Sequence, residues 1–143
     1  MHLVATNRYL FKLPVSVQRG HLLDVGHLTR VHRLTLWGLK VADIRRLRLG
    51  STAKVEFDLS RFGTRQRASI EQCLQTGATT VQLRHFRLCF CIEPRDSEQH
   101  WLDVRLYSTC RWHRWLQPLV KILFALTVLE DRWHYERRRK RRA

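Results

Sequence analysis

The sequence predicts an α+β domain: a small antiparallel sheet with a short helix and a long C-terminal helix packed on it. Three observations predict this class. Segments in the middle of the chain alternate between apolar and polar residues, a polar turn joins two of them, and an apolar run of helical length lies near the C-terminus. At 143 residues, of which 44% are hydrophobic, the chain is long enough for one domain with a buried core.

The N-terminal third is mixed in character, with short apolar runs broken by Pro14, Gly20 and Gly26. The clearest strand covers residues 53–60, where every second residue is apolar and the residues between are polar. A period of two with one polar face indicates a strand whose other face is buried.

A short helix and two further strands are predicted after it. The segment 69–77, SIEQCLQTG, has the pattern of a short helix that ends at a glycine. The segment 78–94 is rich in β-forming residues, and its apolar phase shifts near Arg84 and His85, which predicts a bulge there. The segment 101–109 alternates again, so the two segments are expected to form an antiparallel hairpin across the polar turn between them.

The closing helix is the most apolar part of the chain. Between residues 119 and 129 only Lys121 and Thr127 are polar, so this helix must be buried in protein or in lipid. Eleven residues cover roughly 17 Å, about half a bilayer core, so spanning a membrane is excluded unless the helix extends back through Arg114, which is costly. We expect packing across the sheet. The alternatives are a dimer interface and insertion of residues 112–133 into one leaflet of a membrane. Trp112, Trp115 and Trp133 would suit a helix that lies in the membrane interface.

The domain organisation follows from this helix. We predict one α+β domain over residues 1–131, including the C-terminal helix over about 113–131, and a basic tail over residues 132–143. No secretory signal is recognisable at the N-terminus, and four cysteines do not make a disulfide scaffold. The expected location is therefore nuclear or cytoplasmic, and the protein is not expected to be secreted.

The charge is strongly positive. Lys and Arg total 27 against 12 acidic residues, a net charge of +15, and 22 of the 27 are arginine. Guanidinium groups match phosphate geometry, so the composition favours a nucleic acid or an anionic lipid surface as partner. Coding bias, as in a compact or viral genome, would also raise the arginine content. The terminal run is typical of a nuclear localisation signal or a nucleic-acid-binding arm.

Basic residues also occur within the body of the chain, and two tryptophans among them could stack on unpaired bases. The competing interpretation places these tryptophans in the core. The predicted nucleic-acid-binding residues are Arg45, Arg46, Arg48, Arg61, Arg65, Arg67, Arg111, Trp112, Arg114, Trp115, Arg137, Arg138, Arg139, Lys140, Arg141 and Arg142.

These features predict a non-enzymatic accessory or regulatory protein that binds nucleic acid, with RNA favoured over DNA and a viral origin considered. Import receptors are expected partners of the tail, and a second copy is a candidate partner of the C-terminal helix. The alternative function is a peripheral membrane or protein-interaction protein whose basic tail lies on anionic lipid. No catalytic motif is recognisable, so we expect no enzyme activity.

One metal site is suggested by residue spacing. Cys89, Cys91, Cys110 and His113 would meet at one end of the predicted hairpin, and thiolate with imidazole suits tetrahedral zinc. His85 could substitute as a ligand. The alternative is that these cysteines are small buried apolar residues. No other cofactor is expected.

Two short segments resemble known families. Gly38, Leu39, Asp43 and Ile44, with the residues that follow, are similar to the helix-turn-helix of LuxR-type DNA-binding domains, which implies a recognition helix at residues 51–61. The alternation at residues 53–60 favours a strand instead. The segment DLSRFG at residues 58–63 resembles the (D/N)xSxxG motif of PilZ domains, which are β-barrels that bind cyclic di-GMP.

Overall fold

The computed structural model describes residues 1–30, 32 and 38–142, and of residues 28–30 the backbone alone. The described residues form seven strands, three α-helices and one 3₁₀ helix. In order they are β1 (His2–Phe11), α1 (Val15–Leu23), α2 (Val25–Arg30), β2 (Lys40–Leu49), β3 (Thr52–Arg61), β4 (Thr64–Cys73), β5 (Thr79–Gln82), β6 (Phe86–Pro94), β7 (His100–Ser108), the 3₁₀ helix Arg111–Leu116 and α3 (Gln117–Arg142).

The strands form one antiparallel sheet in the order β1-β7-β6-β5-β4-β3-β2. Strands β2 to β7 pair with their neighbours in sequence, and β1 joins at the end by pairing with β7. This leaves β1 and β2 as the two edges. The predicted α+β class, an antiparallel sheet with a long C-terminal helix packed on it, is confirmed.

Two apolar clusters lie on the inner face of the sheet. The α3 cluster contains Phe11, Leu13, Leu102, Val104 and Val128, so it joins β1, β7 and α3.

The second, the α2 cluster, contains Val25, Val55, Phe57, Ala68 and Ile70, so it joins α2, β3 and β4. The predicted strand at residues 53–60 is confirmed as part of β3, and its inward residues Val55 and Phe57 are buried. The hairpin of β6 and β7 is also confirmed.

Two predicted details between β3 and β6 are wrong. Residues 69–77 continue β4 to Cys73 and then turn. A polar residue on the buried face, Gln72, masked the two-residue period. Its amide donates to Arg19 O at 3.0 Å and to Thr79 Oγ1 at 3.0 Å. The phase shift near Arg84 and His85 is a reversal of the chain and not a bulge, since Leu83 N donates to Phe86 O at 2.8 Å.

The structure also overturns what the two resemblances implied. Residues 52–61 are strand β3, so no recognition helix exists there. The irregularity in the LuxR-like segment is a bulge of β2 between Ala42 and Arg45, where Asp43 has a φ of 51°. The DLSRFG segment forms the β3–β4 hairpin, and among the described residues no pairing joins β1 to β2 to close a barrel.

Helix α3 runs to Arg142, so the residues predicted as a separate basic tail form its last turns. One side of α3 contributes Val128 to the α3 cluster and packs Phe124 and Tyr135 against it. The predicted packing across the sheet is present, but it covers only one side of the apolar helix. An exposed row repeats every three to four residues along the other side, consisting of Leu119, Ile122, Leu126, Leu129 and Trp133, each 40–57% exposed. No helix among the described residues is long and apolar enough to cross a membrane.

Candidate functional site

The two apolar clusters meet at strands β5 and β6. Val81 packs against the α2 cluster and Leu88 against the α3 cluster, and these two residues are direct cross-strand partners. Thr79 and Phe90 form the next inward pair. Val81, Leu88 and Phe90 are only half-buried. Apolar surface therefore stays partly uncovered at the junction, which we call the inter-helix groove.

The groove owes its position to the helices on either side. Val25 of α2 is fully buried over β3 and β4, and Val128 of α3 is buried over β1 and β7. The strands between these two contacts, β5 and β6, contribute the half-buried residues. Because β5 has only four residues, the groove is short, about 13 Å along the strand.

A separate pocket of about 610 Å³ lies at the β1 edge, between that strand and the 3₁₀ helix. It brings together four of the predicted nucleic-acid-binding residues, since Arg111, Trp112, Arg114 and Trp115 all line it. The alternative that these tryptophans are core residues is wrong, because Trp112 is 72% and Trp115 81% exposed.

A group of histidines surrounds one carboxylate where α2 meets α3. His27 Nε2 lies 2.7 Å and His32 Nε2 3.3 Å from Asp131 Oδ1. Both imidazoles are buried, and burial is the main cause that lowers the pKa of His32 below its ordinary value. His21 stacks on His27 with ring centroids 4.6 Å apart, and His134 meets His27 edge-on at 6.2 Å.

A charged network lies on the outer face of the sheet. Arg65 and Arg67 both hydrogen-bond to the Asp58 carboxylate, and Arg65 also reaches Asp43. These bonds, the one from Arg65 first, lower the pKa of Asp58 to about 2. Two of the predicted phosphate-binding arginines are therefore already engaged by carboxylates.

The remaining predicted basic residues are spread over the molecule. Arg45, Arg46 and Arg48 lie on the edge strand β2, whereas Arg111 and Arg114 lie beside the opposite edge strand, β1. Six strand spacings separate the edges, roughly 29 Å along the sheet. Arg61 lies over the Phe62 ring in the β3–β4 hairpin. The last group, Arg137, Arg138, Arg139, Lys140, Arg141 and Arg142, occupies the end of α3.

The predicted zinc ligands are not assembled. Cys89 and Cys91 face Arg105 and Asp103 near the middle of the β6–β7 ladder, whereas Cys110 lies beyond Ser108, which pairs with Phe86 at the end of that ladder. His113 is hydrogen-bonded to Ser108 at 2.5 Å. Among the described residues, the ligand-type side chains that do converge are His27, His32 and Asp131. His85, the substitute ligand, lies in the turn before β6.

Comparisons with known proteins show similarity of fold only. No family model matches the chain, and no curated protein matches it significantly. Among solved structures, the Zhui aromatase/cyclase from a Streptomyces species matches 88% of this chain and 86% of its own, with 9% identity and a TM-score of 0.49. The protein TTHA0849 from Thermus thermophilus matches 88% and 89%, with 12% identity and a TM-score of 0.44. The protein CV1439 from Chromobacterium violaceum matches 85% and 96%, with 18% identity and a TM-score of 0.43.

The predicted function, RNA or other nucleic-acid binding by a viral accessory protein, is wrong. The physical reason is the placement of charge. The fold distributes the arginines over both edges of the sheet and the end of α3, and it pairs Arg65 and Arg67 with Asp58. The sequence showed the amount of positive charge but not its distribution.

Sequence reasoning also missed the groove and the histidine group. The inward direction of Leu88 and Phe90 followed from alternation, but their partial exposure depends on how the helices pack on the sheet. His27, His32 and Asp131 have no recognisable spacing, because about a hundred residues separate the histidines from the aspartate.

Proposed function

We propose that this protein is a non-enzymatic binder of a small apolar molecule, which it holds in the inter-helix groove. The observation that carries the proposal is the half-burial of Val81 and Leu88 at the junction of the two apolar clusters. Ligand sites are commonly concave, mostly apolar and formed between packed elements.

The dimensions of the groove favour a small ligand. A strand of four residues offers about 13 Å of floor, which suits a compact molecule better than a peptide or a second protein. Its flanking side chains, Val81, Leu88 and Phe90, supply apolar contact and contribute no acid, base or nucleophile. This supports binding without catalysis.

The test uses the neutral fluorophore N-phenyl-1-naphthylamine, because a neutral probe avoids attraction to the +15 charge. We expect saturable binding to the native protein. Leu88→Trp, which fills the groove with apolar volume, should weaken binding by at least about tenfold, or ~1.4 kcal/mol.

The matched control is Arg87→Trp, which adds an indole one residue away on the opposite, exposed face of β6. It should leave the affinity unchanged. Trp115→Ala tests the pocket at the β1 edge. The groove would be refuted as the binding site if Leu88→Trp and Arg87→Trp lost the same affinity for the probe, or if Leu88→Trp lost none. Loss of affinity in Trp115→Ala alone would refute it as well.

We also infer a reducing compartment, cytoplasm or nucleus, as the place of action. The support is that all four cysteines, which lie in the described part of the chain, are free thiols. Alkylation of cell extracts followed by mass spectrometry should find them reduced. A disulfide among them would contradict this location.

A further inference from the structure

The histidine group between α2 and α3 is the second place where chemically capable side chains converge. His27 lies on α2, His32 follows the end of that helix, and Asp131 lies on α3. Their ligand atoms all lie within 4.8 Å of one another. His27 is 7% and His32 4% exposed, so water has little access to the point where they meet.

The distances are close to those of a metal centre. Zinc bonded to nitrogen and oxygen at about 2.1 Å in tetrahedral geometry separates neighbouring ligand atoms by about 3.4 Å. His32 Nε2 is 3.3 Å from Asp131 Oδ1, and His27 Nε2 is 2.7 Å from the same oxygen. An ion at this point therefore requires the 2.7 Å distance to lengthen by about 0.7 Å.

The two buried imidazoles of this group both meet Asp131 through Nε2, at the same carboxylate oxygen. The other ring nitrogen of His32, Nδ1, is buried and has no hydrogen-bond partner among the described atoms. The contact with Asp131 is therefore the polar contact that orients this ring. Two neutral imidazoles and a carboxylate form a donor set that binds divalent transition metals well.

We propose that His27, His32 and Asp131 bind one zinc ion, which ties α2 to α3. Two nitrogens and one oxygen leave a fourth position, and the His134 ring, 6.2 Å from that of His27, is the nearest additional imidazole on α3. The ion links the helices that flank the inter-helix groove, so its binding stabilises the folded state. This site is different from the set of Cys89, Cys91, Cys110 and His113 predicted from the sequence.

The experiment is calorimetric titration of ZnCl₂ into full-length protein stripped with a chelator and desalted. We expect one equivalent to bind and the Tm to rise with free zinc, since a ligand specific for the folded state stabilises it by mass action. His32→Gln and Asp131→Asn should each weaken binding by more than about 100-fold, beyond the 10–100-fold typical of supporting residues. Cys89→Ser and His85→Gln are the controls and should bind as the native protein does.

Cobalt substitution supplies a readout that does not depend on the variants folding. Bound Co²⁺ should show ligand-field bands of nitrogen and oxygen coordination without the thiolate charge-transfer band that cysteine ligation produces. Absence of stoichiometric zinc binding to the native protein would refute the proposal. A thiolate band, or loss of binding in Cys89→Ser with retention in His32→Gln, would also refute it by placing the ion on the cysteines.

Discussion

Buried histidines distinguish this molecule at the scale of single residues. His100 on β7 is fully buried, stacks on Phe11 with ring centroids 5.6 Å apart, and its Nδ1 lies 2.9 Å from Leu13 O. The neutral ring donates its Nδ1 proton to that carbonyl. Its other nitrogen, Nε2, is buried without a partner among the described atoms. The site accommodates the neutral ring and disfavours the charged one.

This environment predicts a loss of stability in acid. Burial lowers the pKa of His100 below 6.5, with the Leu13 hydrogen bond acting weakly in the opposite direction. The unfolded chain then binds a proton at a higher pH than the folded one does. The free energy of unfolding is therefore highest above pH 6.5 and falls as the pH decreases from there towards the folded-state pKa.

Urea unfolding at about pH 7.5, 6.5 and 5.5 measures the effect. His100→Asn keeps a side-chain N–H for Leu13 O but cannot titrate, so it should flatten part of the dependence. His2→Asn is the control, because His2 is an exposed residue of β1. An unchanged slope in His100→Asn would show that this residue contributes nothing to acid sensitivity.

Helix α3 shows at the scale of an element how a mostly apolar sequence can have two different sides. Val128 is 7% exposed and packs in the α3 cluster, whereas Ile122 is 57% exposed in the row on the other side. Valine and isoleucine are similarly hydrophobic, so the sequence does not reveal which of the two residues faces the sheet. The direction is decided by contact with the sheet.

The matched substitutions Val128→Ala and Ile122→Ala test this orientation. The first removes two buried methyl groups and should cost about 2 kcal/mol of unfolding free energy. The second should change stability by less than about 0.5 kcal/mol, because an exposed side chain loses little contact on truncation.

Chemical denaturation at low protein concentration provides the measurement. Equal costs for the two variants would show that the exposed row is covered in solution. If the Ile122 cost grew with protein concentration, the covering element would be a second copy. A second copy and a lipid surface as partners of this helix stay predictions.

The molecule as a whole has far more positive than negative side chains. A net charge of +15 on 143 residues is self-repulsive, and the ion pairs of the outer face, such as Arg65 with Asp58, involve only some of the arginines. Exposed ion pairs of this kind contribute little, about 0–1 kcal/mol each. Repulsion among the remaining charges is therefore the larger long-range effect.

We expect salt to stabilise the protein as a consequence. Raising the ionic strength from about 0.01 M to about 0.15 M shortens the screening length from about 30 Å to about 8 Å. Stability should rise by about 1 kcal/mol, roughly 3–5 °C in Tm for a chain of this size. Differential scanning calorimetry in NaCl measures it, and choline chloride at the same ionic strength should give the same curve, because screening depends on ionic strength and not on which monovalent cation supplies it. A decrease in Tm would show that ion pairs outweigh repulsion.

The sequence by itself determined the α+β class, the strand at residues 53–60, the β6–β7 hairpin and the C-terminal helix, because periodicity is a local property of the chain. Prediction from periodicity failed where a polar residue, Gln72, occupies a buried position in a strand. It also failed near residues 84 and 85, because a chain reversal shifts the apolar–polar alternation in the same way as a bulge does.

Only the tertiary structure decided which charges are paired, which side of α3 is exposed, and which side chains meet. Arg65 and Asp58 are partners because β3 and β4 form a hairpin, and Val81 meets Leu88 because β5 pairs with β6. His27 and Asp131 are 104 residues apart in sequence and 2.7 Å apart in space. Contacts at such separations depend on how helices pack on the sheet, and neither composition nor spacing carries that information.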